Sequence, residues 1–186
     1  MPEHGNQSRR LAPNVGFRLM AWMFKVRDVF SPRDRVLEEA GIRQGWHVLD
    51  FGCGPGGYVP ATSRAVGESG KVYALDVHPL AIDAVDRAVS KLGLTNVETI
   101  LSDCATGLAD RSIDAVLLYD TYHALDTPRR VIAEIERVLK PNGILSFSDH
   151  HMLDEEIVSE LTRYEAFVVQ SSGRKTYTFV KHGTRH

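Results

Sequence analysis

The stretch that decides the fold is HVLDFGCGPGGYVPATSRAVGESGKVYALD, residues 47–76. It begins with a short apolar run, passes through a glycine-rich loop and a helical segment, and ends in a second apolar run. Glycines directly after a buried strand let the backbone approach a ligand closely, and the amide groups that begin the next helix hydrogen-bond to it. The stretch therefore predicts a strand, a ligand-binding loop, a helix and a second strand.

The same alternation continues beyond this stretch. A helix is predicted in PLAIDAVDRAVSKLG, residues 79–93, with proline at its start and glycine at its end, and further strands in VETILS, SIDAVLLYD and ILSFSD. The two β-rich runs around SSGR, residues 171–174, are joined by a turn that allows only an antiparallel hairpin. We predict an α/β fold, a Rossmann-like doubly wound mixed sheet of five parallel strands closed by a C-terminal antiparallel hairpin.

Residues 1–31 are predicted to be an N-terminal extension, and residues 32–186 the α/β domain. Apolar residues recur at helical spacing in GFRLMAWMFKVRDVF, residues 16–30, which predicts an amphipathic helix. Three roles for this helix stay open: a lid over the ligand, an interface in a homodimer, and a contact with a membrane surface.

Composition narrows the class of protein. Lysine and arginine total 22 against 24 aspartate and glutamate, a formal charge of −2, so no nucleic acid partner is expected. The only cysteines, Cys53 and Cys104, do not form a disulfide framework and suit a reducing cytoplasm. The N-terminus has no signal-peptide pattern and no apolar run approaches the roughly 20 residues of a membrane span. We expect a cytoplasmic protein without stable membrane insertion.

Two kinds of ligand compete for the glycine loop. Gly52, Gly54 and Gly57 have the G-x-G-x-x-G spacing of dinucleotide-binding proteins, so a nicotinamide cofactor is one possibility. Asp50, however, lies two residues before the first glycine, where its negative charge disfavours a pyrophosphate and favours a cationic ligand.

The segment VLDFGCGPGG, residues 48–57, resembles the first motif of class I S-adenosylmethionine-dependent methyltransferases. The order of elements from Pro32 onward is also similar, and the segments SDC, residues 102–104, and VLKPNGILSFSD, residues 138–149, resemble later motifs of the same family. Within it, the chain is most similar to the small quinone-biosynthesis-type enzymes. Arsenite methyltransferases share this core but use several cysteines to bind the metalloid, and the two cysteines here lie in cofactor motifs.

The resemblance implies roles for particular residues. It places Asp76 on the ribose hydroxyls and Asp103 on the adenine amino group, with Val77 and Cys104 lining the base. The predicted contacts with S-adenosylmethionine are Asp50, Phe51, Gly52, Gly54, Gly56, Tyr58, Asp76, Val77, Asp103, Cys104 and Tyr119.

The catalytic candidates follow the fourth and fifth strands, where the methyl group is expected to face its acceptor. His123 is the first candidate for a general base because imidazole titrates nearest neutrality, and His150 and Asp120 are further candidates. The run Asp149-His150-His151 suggests a metal, but neighbouring strand-end side chains diverge and no third ligand lies at a useful spacing. No metal site is predicted.

These observations predict an S-adenosylmethionine-dependent methyltransferase that acts on a small-molecule acceptor by in-line methyl transfer. Two alternatives remain. One is a non-catalytic module that binds S-adenosylmethionine, and the other is a nicotinamide-dependent reductase.

Overall fold

A computed structural model describes residues 33–183. This part of the chain contains five α-helices and a seven-stranded sheet. The helices are α1 Arg33–Glu39, α2 Val59–Val66, α3 Pro79–Leu92, α4 Pro128–Val138 and α5 Asp154–Thr162. The strands are β1 His47–Phe51, β2 Lys71–Asp76, β3 Val97–Leu101, β4 Ile113–Tyr119, β5 Leu139–Ser148, β6 Phe167–Ser172 and β7 Tyr177–Lys181.

The sheet has the strand order β3-β2-β1-β4-β5-β7-β6. Strands β1 to β5 are parallel, whereas β7 runs antiparallel to both β5 and β6. The predicted fold class, five parallel strands closed by an antiparallel hairpin, is therefore confirmed. The chain adds strands on one side of β1 up to β3 and then returns to the other side at β4. Ligands of open α/β sheets bind at such a reversal, beyond the carboxyl ends of the strands.

Local sequence explains where the helices begin and end. Helix α3 begins with Pro79, whose fixed φ suits the first helical turn, and the side chain of His78 accepts a hydrogen bond from the backbone N–H of Leu80 at 3.1 Å. The helix ends at Gly93, which takes a left-handed conformation with φ 64°.

One boundary differs from the prediction. The segment TPRRVIAEIERVLKPNG, residues 127–143, predicts a helix that Pro141 and Gly143 stop. Helix α4 instead ends at Val138, and β5 begins at once with Leu139. Leu139 pairs with Ile113 of β4, and Lys140 Nζ lies 2.6 Å from Asp114 Oδ1. These two contacts hold the segment against the sheet, so sheet pairing overrides its local turn signal. A short 3₁₀ turn at Tyr122–Ala124 was likewise not predicted.

Apolar side chains fill both faces of the sheet. The largest fully buried ones include Phe147 and Phe179 on β5 and β7, and the central strand β1 is buried from Val48 onward. None of the α-helices within residues 33–183 has the length and apolar character needed to cross a bilayer. The predicted N-terminal extension, residues 1–31, lies wholly outside the described residues together with its helix, so the three possible roles of that helix stay predictions.

Candidate cofactor and acceptor site

The glycine loop follows β1 at the point where the strand order reverses. Gly52, Gly54 and Gly56 all have positive φ, at 79°, 52° and 83°, which residues with a side chain rarely adopt. A Cβ on Gly52 would collide with the side chain of Thr121, and one on Gly56 would lie 2.9 Å from Val85 Cγ2. A Cβ on Gly54 would meet no atom of the described chain within 4 Å. The loop thus packs tightly below and leaves open space at Gly54.

Asp76 joins this loop to the start of α3. Its Oδ2 accepts a hydrogen bond from the backbone N–H of Gly54 at 2.8 Å, and its Oδ1 accepts one from that of His78 at 2.8 Å. Burial raises the pKa of this carboxyl, and the backbone hydrogen bonds act in the opposite direction. Each carboxylate oxygen has a second lone pair, so the group is still able to accept hydrogen bonds from a ligand diol.

Asp50 lies in β1, directly below the loop, and its carboxyl is 3% exposed. Its Oδ2 is buried without a hydrogen-bond partner among residues 33–183. Burial raises the pKa of this carboxyl to about 7, although the nearby Arg33 guanidinium lowers it. A buried polar atom that the protein leaves unpaired is costly, so this oxygen is suited to a donor or a positive charge from a ligand.

The two cysteines are not poised as nucleophiles. Both thiols are buried, and burial raises the pKa of Cys53 and of Cys104, so they stay protonated. Cys104 belongs to the loop that carries Asp103. Val77, the residue after β2, is 39% exposed.

Glu134 fixes the loop after β3, and sequence reasoning missed it. Its Oε1 accepts hydrogen bonds from Thr106 N at 2.8 Å and Thr106 Oγ1 at 2.6 Å. Hydrogen bonds from Arg137 and Thr106 lower the pKa of Glu134 to about 2. In the sequence, Glu134 and Arg137 have the spacing of an ordinary surface ion pair on a helix, which gives no sign of the contact with Thr106.

Three other predicted cofactor contacts have packing roles. The Phe51 side chain lies in the core, 2% exposed, so only its backbone borders the loop. The buried Tyr119 hydroxyl is 2.7 Å from Ser146 Oγ, and its ring centroid is 4.8 Å from that of Tyr58. The guanidinium of Arg33 lies over the Tyr58 ring at 4.0 Å. Contacts of these residues with a cofactor stay predictions.

The three catalytic candidates come together at the ends of β4 and β5. Asp120 and His123 follow β4, whereas Asp149, His150 and His151 follow β5. We call these five residues the histidine–carboxylate cluster. His123 Nδ1 lies 2.9 Å from both oxygens of Asp149, and His150 Nδ1 lies 2.7 Å from Asp120 Oδ1. The His151 ring centroid is 4.0 Å from each of the other two imidazoles. Each carboxylate therefore pairs with a histidine from the other strand.

The structure brings three possible metal ligands together in this cluster, whereas the sequence showed no third ligand at a useful spacing. One ligand atom from each of Asp120, Asp149 and His150 lies within 4.8 Å of the other two. All three residues, however, already take part in the crossed histidine–carboxylate pairs. The expected absence of a metal stays a prediction.

A cavity of about 460 Å³ opens beside the cluster. One wall carries Asp120, Asp149 and His150, and the wall near the glycine loop carries Tyr58. The cavity is also lined by the turn between β6 and β7 and by Met152 and Ile157; the other lining residues include Arg33, Val36, Ser148 and Asp154. Thr121 links the cluster to the glycine loop, because its side chain packs against Gly52.

A glycine loop at the reversal of strand order, with one acid beneath it and another at the end of the next strand, defines an α/β domain that binds a nucleoside cofactor. Residues 49–147 match the family model described as a methyltransferase domain. The chain therefore belongs to the methyltransferase domain family, whose members of this class use S-adenosylmethionine.

Proteins that are similar to this chain in sequence or structure are named methyltransferases as well. Demethylmenaquinone methyltransferase from Geobacillus stearothermophilus is 31% identical over 113 residues, which are 60% of this chain and 48% of that protein. Protein-L-isoaspartate O-methyltransferase from Methanococcus maripaludis is 33% identical over 109 residues, 58% of this chain and 49% of that protein. A solved S-adenosylmethionine-dependent methyltransferase from Aquifex aeolicus is 29% identical with a TM-score of 0.70, and the match covers 84% of this chain and 96% of that one.

The chain spans about a third to a half of the length of the first curated relatives it matches. The names of the relatives imply different acceptors, a quinone precursor in one and a protein in another. Membership of the family therefore gives the fold and the cofactor but leaves the acceptor open.

The residues fit S-adenosylmethionine. The unpaired Asp50 Oδ2 and the carboxylate of Asp76 offer acceptors to a ligand that carries a positive charge and a vicinal diol. The open space at Gly54 lets a ligand approach the backbone. Asp50, Gly54 and Asp76 would hold the cofactor beneath and beside the loop.

Proposed function

We propose that this protein is an S-adenosylmethionine-dependent methyltransferase that acts on a small-molecule acceptor. The observation that carries the acceptor class is the cavity of about 460 Å³, which lies within the usual range of small-molecule sites, roughly 300–1,000 Å³. Its lining combines the apolar side chains of Val36, Met152 and Ile157 with a larger number of polar and charged ones, which suits a small molecule that carries polar groups. The formal charge of −2 also supports a small molecule over a nucleic acid.

Bound S-adenosylmethionine supplies a methyl group that its sulfonium already activates, so the protein has mainly to align the acceptor and exclude water. In our proposal Asp76 binds the ribose and Asp103 the adenine. The side chains of the cavity wall, among them Tyr58 and His150, then hold the acceptor in line with the methyl carbon. His123 is the proposed base for an acceptor that arrives protonated.

Calorimetric titration tests the cofactor part of this proposal. S-adenosylhomocysteine should bind, and NADH should not. Asp76→Asn should weaken that binding by about tenfold or more, because the amide loses the charge and one of the acceptors that a diol needs. Asp83→Asn on the exposed face of α3 is the matched control and should bind as the unchanged protein does. Binding of NADH alone would contradict the proposal.

Mass spectrometry of reaction mixtures tests the acceptor part. Phenols, quinols, amines and thiols are incubated with the protein and S-adenosylmethionine, and methylated product is sought in each. Methylation of at least one compound is the expected result. The folded state of the protein is verified in parallel. If the protein binds S-adenosylhomocysteine but methylates none of the acceptors, the result would favour a non-catalytic binding module.

A further inference from the structure

Asp149 is the more deeply buried of the two carboxylates in the histidine–carboxylate cluster. Its side chain is 0% exposed. Its Oδ2 accepts a hydrogen bond from the backbone N–H of His123 at 3.0 Å, and its Oδ1 accepts one from that of His151 at 3.1 Å. Both oxygens also face Nδ1 of His123 at 2.9 Å. Two backbone donors therefore fix the carboxylate, and the carboxylate in turn fixes the imidazole.

This arrangement determines the position of the proton on the His123 ring. An ionised carboxylate only accepts hydrogen bonds, so the ring nitrogen that faces it must carry the hydrogen. Nδ1 of His123 is then the donor, and in the neutral ring Nε2 has the free lone pair. The His123 side chain is about one-third exposed and lies next to Asp149 and His150, which line the cavity.

The second pair of the cluster is more exposed to solvent. His150 is 57% exposed, and its partner Asp120 is 16% exposed, so solvent screens their interaction. A base is effective when its orientation is set in advance by rigid neighbours. Of the two pairs, His123 with Asp149 meets this condition better.

We infer that Asp149 is a positioning residue that holds His123 as the Nδ1–H tautomer with Nε2 as the base, and that the methyl acceptor is a protic one, such as a phenol or an enol. The inference rests on the proposed methyltransferase function. The protic acceptor follows from the base, because a base accelerates methyl transfer only to an acceptor atom that arrives with a proton.

The bonds balance as follows for an O–H acceptor. The acceptor oxygen forms its new bond to the methyl carbon while its proton moves to Nε2 of His123. The electron pair of the broken carbon–sulfur bond stays on sulfur, which becomes a neutral thioether. The imidazolium of His123, stabilised by Asp149, then returns its proton to solvent.

The tautomer is measured without any reaction, by ¹⁵N NMR of protein labelled at histidine. The His123 signals are identified as those that disappear in His123→Asn. In the unchanged protein we expect hydrogen on Nδ1 and a bare Nε2. In Asp149→Asn the amide N–H group opposes Nδ1, so this preference should be lost. Asp126→Asn, an exposed acid a few residues further along the same loop, should leave the tautomer unchanged.

Kinetics with matched acceptors test the acceptor class. Turnover of a phenol should fall about 100-fold or more in Asp149→Asn. Turnover of the corresponding thiophenol, which is already largely ionised in neutral buffer, should change by no more than about threefold, since it needs no base. Affinity for S-adenosylhomocysteine should stay unchanged in both Asp149→Asn and Asp126→Asn.

Several results would overturn the inference. Hydrogen on Nε2 of His123 in the unchanged protein would exclude the proposed tautomer, even if Asp149→Asn does not fold. Equal losses with the phenol and the thiophenol would exclude base catalysis. Selective broadening of the His123 and His150 signals by stoichiometric Mn²⁺ would make the cluster a metal site instead. If S-adenosylhomocysteine binds but no acceptor is methylated, the proposed function and the proposed acceptor class both fail. The NMR measurement of the His123 tautomer then still tests whether Asp149 positions this ring.

Discussion

At the scale of one residue, Gly54 has both a backbone conformation that the loop needs and open space through which a ligand is able to approach. Its φ of 52° falls in the left-handed region, and the neighbouring Gly52 and Gly56 are packed against side chains of other elements. At Gly54 the space is open and the backbone N–H is held by Asp76. A side chain at this position would therefore cost little in packing but would project to where a ligand approaches the backbone.

The residue-scale prediction compares Gly54→Ala with Gly93→Ala. Both glycines have positive φ, and a Cβ at either would meet no described atom within 4 Å, so each change should cost roughly 1–2 kcal/mol of backbone strain. Only Gly54→Ala should weaken binding of S-adenosylhomocysteine, by about tenfold or more. Urea unfolding and calorimetry measure the two effects. Equal affinity in both variants would mean that the ligand does not approach Gly54.

At the scale of elements, α4 supports the loop that carries Asp103. Glu134 receives two hydrogen bonds from Thr106, and Arg137 donates to both oxygens of Glu134, at 2.8 Å in each case. The loop between β3 and β4 thus depends on a helix that follows it in the chain. The loop that carries the predicted adenine contact, Asp103, is therefore held by Glu134 and Arg137 of α4.

The element-scale prediction is that Glu134→Gln lowers the free energy of unfolding at neutral pH by roughly 1–3 kcal/mol and weakens binding of S-adenosylhomocysteine. The folded-state pKa of Glu134 is about 2, below its unfolded value of about 4.3, so its contribution is present above the unfolded value. That contribution is lost as the pH falls toward 2. Urea unfolding at several pH values should therefore show the two proteins converging in acid.

Glu136→Gln provides the control for this experiment, because Glu136 lies on the exposed face of the same helix. It should change neither the stability nor the binding noticeably. A gap between Glu134→Gln and the unchanged protein that persists at the lowest pH would contradict the assignment to the carboxylate.

At the scale of the whole molecule, one side chain joins distant parts of the chain by holding a turn that lines the cavity. Glu39 at the end of α1 accepts hydrogen bonds from the backbone N–H groups of Lys175 and Thr176, at 2.7 and 2.8 Å, in the turn between β6 and β7. Partial burial acts to raise the pKa of Glu39, but these hydrogen bonds dominate and lower it. The turn forms one wall of the cavity, so this contact sets the shape of the proposed acceptor site.

The whole-molecule prediction is that Glu39→Gln raises the KM for the acceptor severalfold and costs about 1 kcal/mol of stability, because a charge-assisted contact is weakened. Affinity for S-adenosylhomocysteine should not change, since the hydrogen bonds of Glu39 go to the turn and not to the glycine loop. Steady-state kinetics and calorimetry separate the two effects. Glu38→Gln, exposed on the same helix, is the control. Weaker cofactor binding in Glu39→Gln would show that the turn supports the glycine loop as well.

Much of this molecule was predictable because its signals are local. The alternation of strands and helices, the proline and glycine at the ends of α3 and the glycine loop each depend on residues close together in the chain. They predicted the sheet, its closing hairpin and the region of the cofactor site. The early end of α4 was missed because sheet pairing of Leu139 outweighs the turn signal that follows it.

The sequence by itself determined the fold, the family and which strand ends carry ionisable side chains. Only the tertiary structure decided their partners: Asp149 with His123, Asp120 with His150, Glu134 with Thr106 and Glu39 with the turn before Thr176. The physical reason is that these contacts join residues 26 to 137 positions apart. Their geometry depends on strand register and loop conformation, which no local pattern of residues specifies.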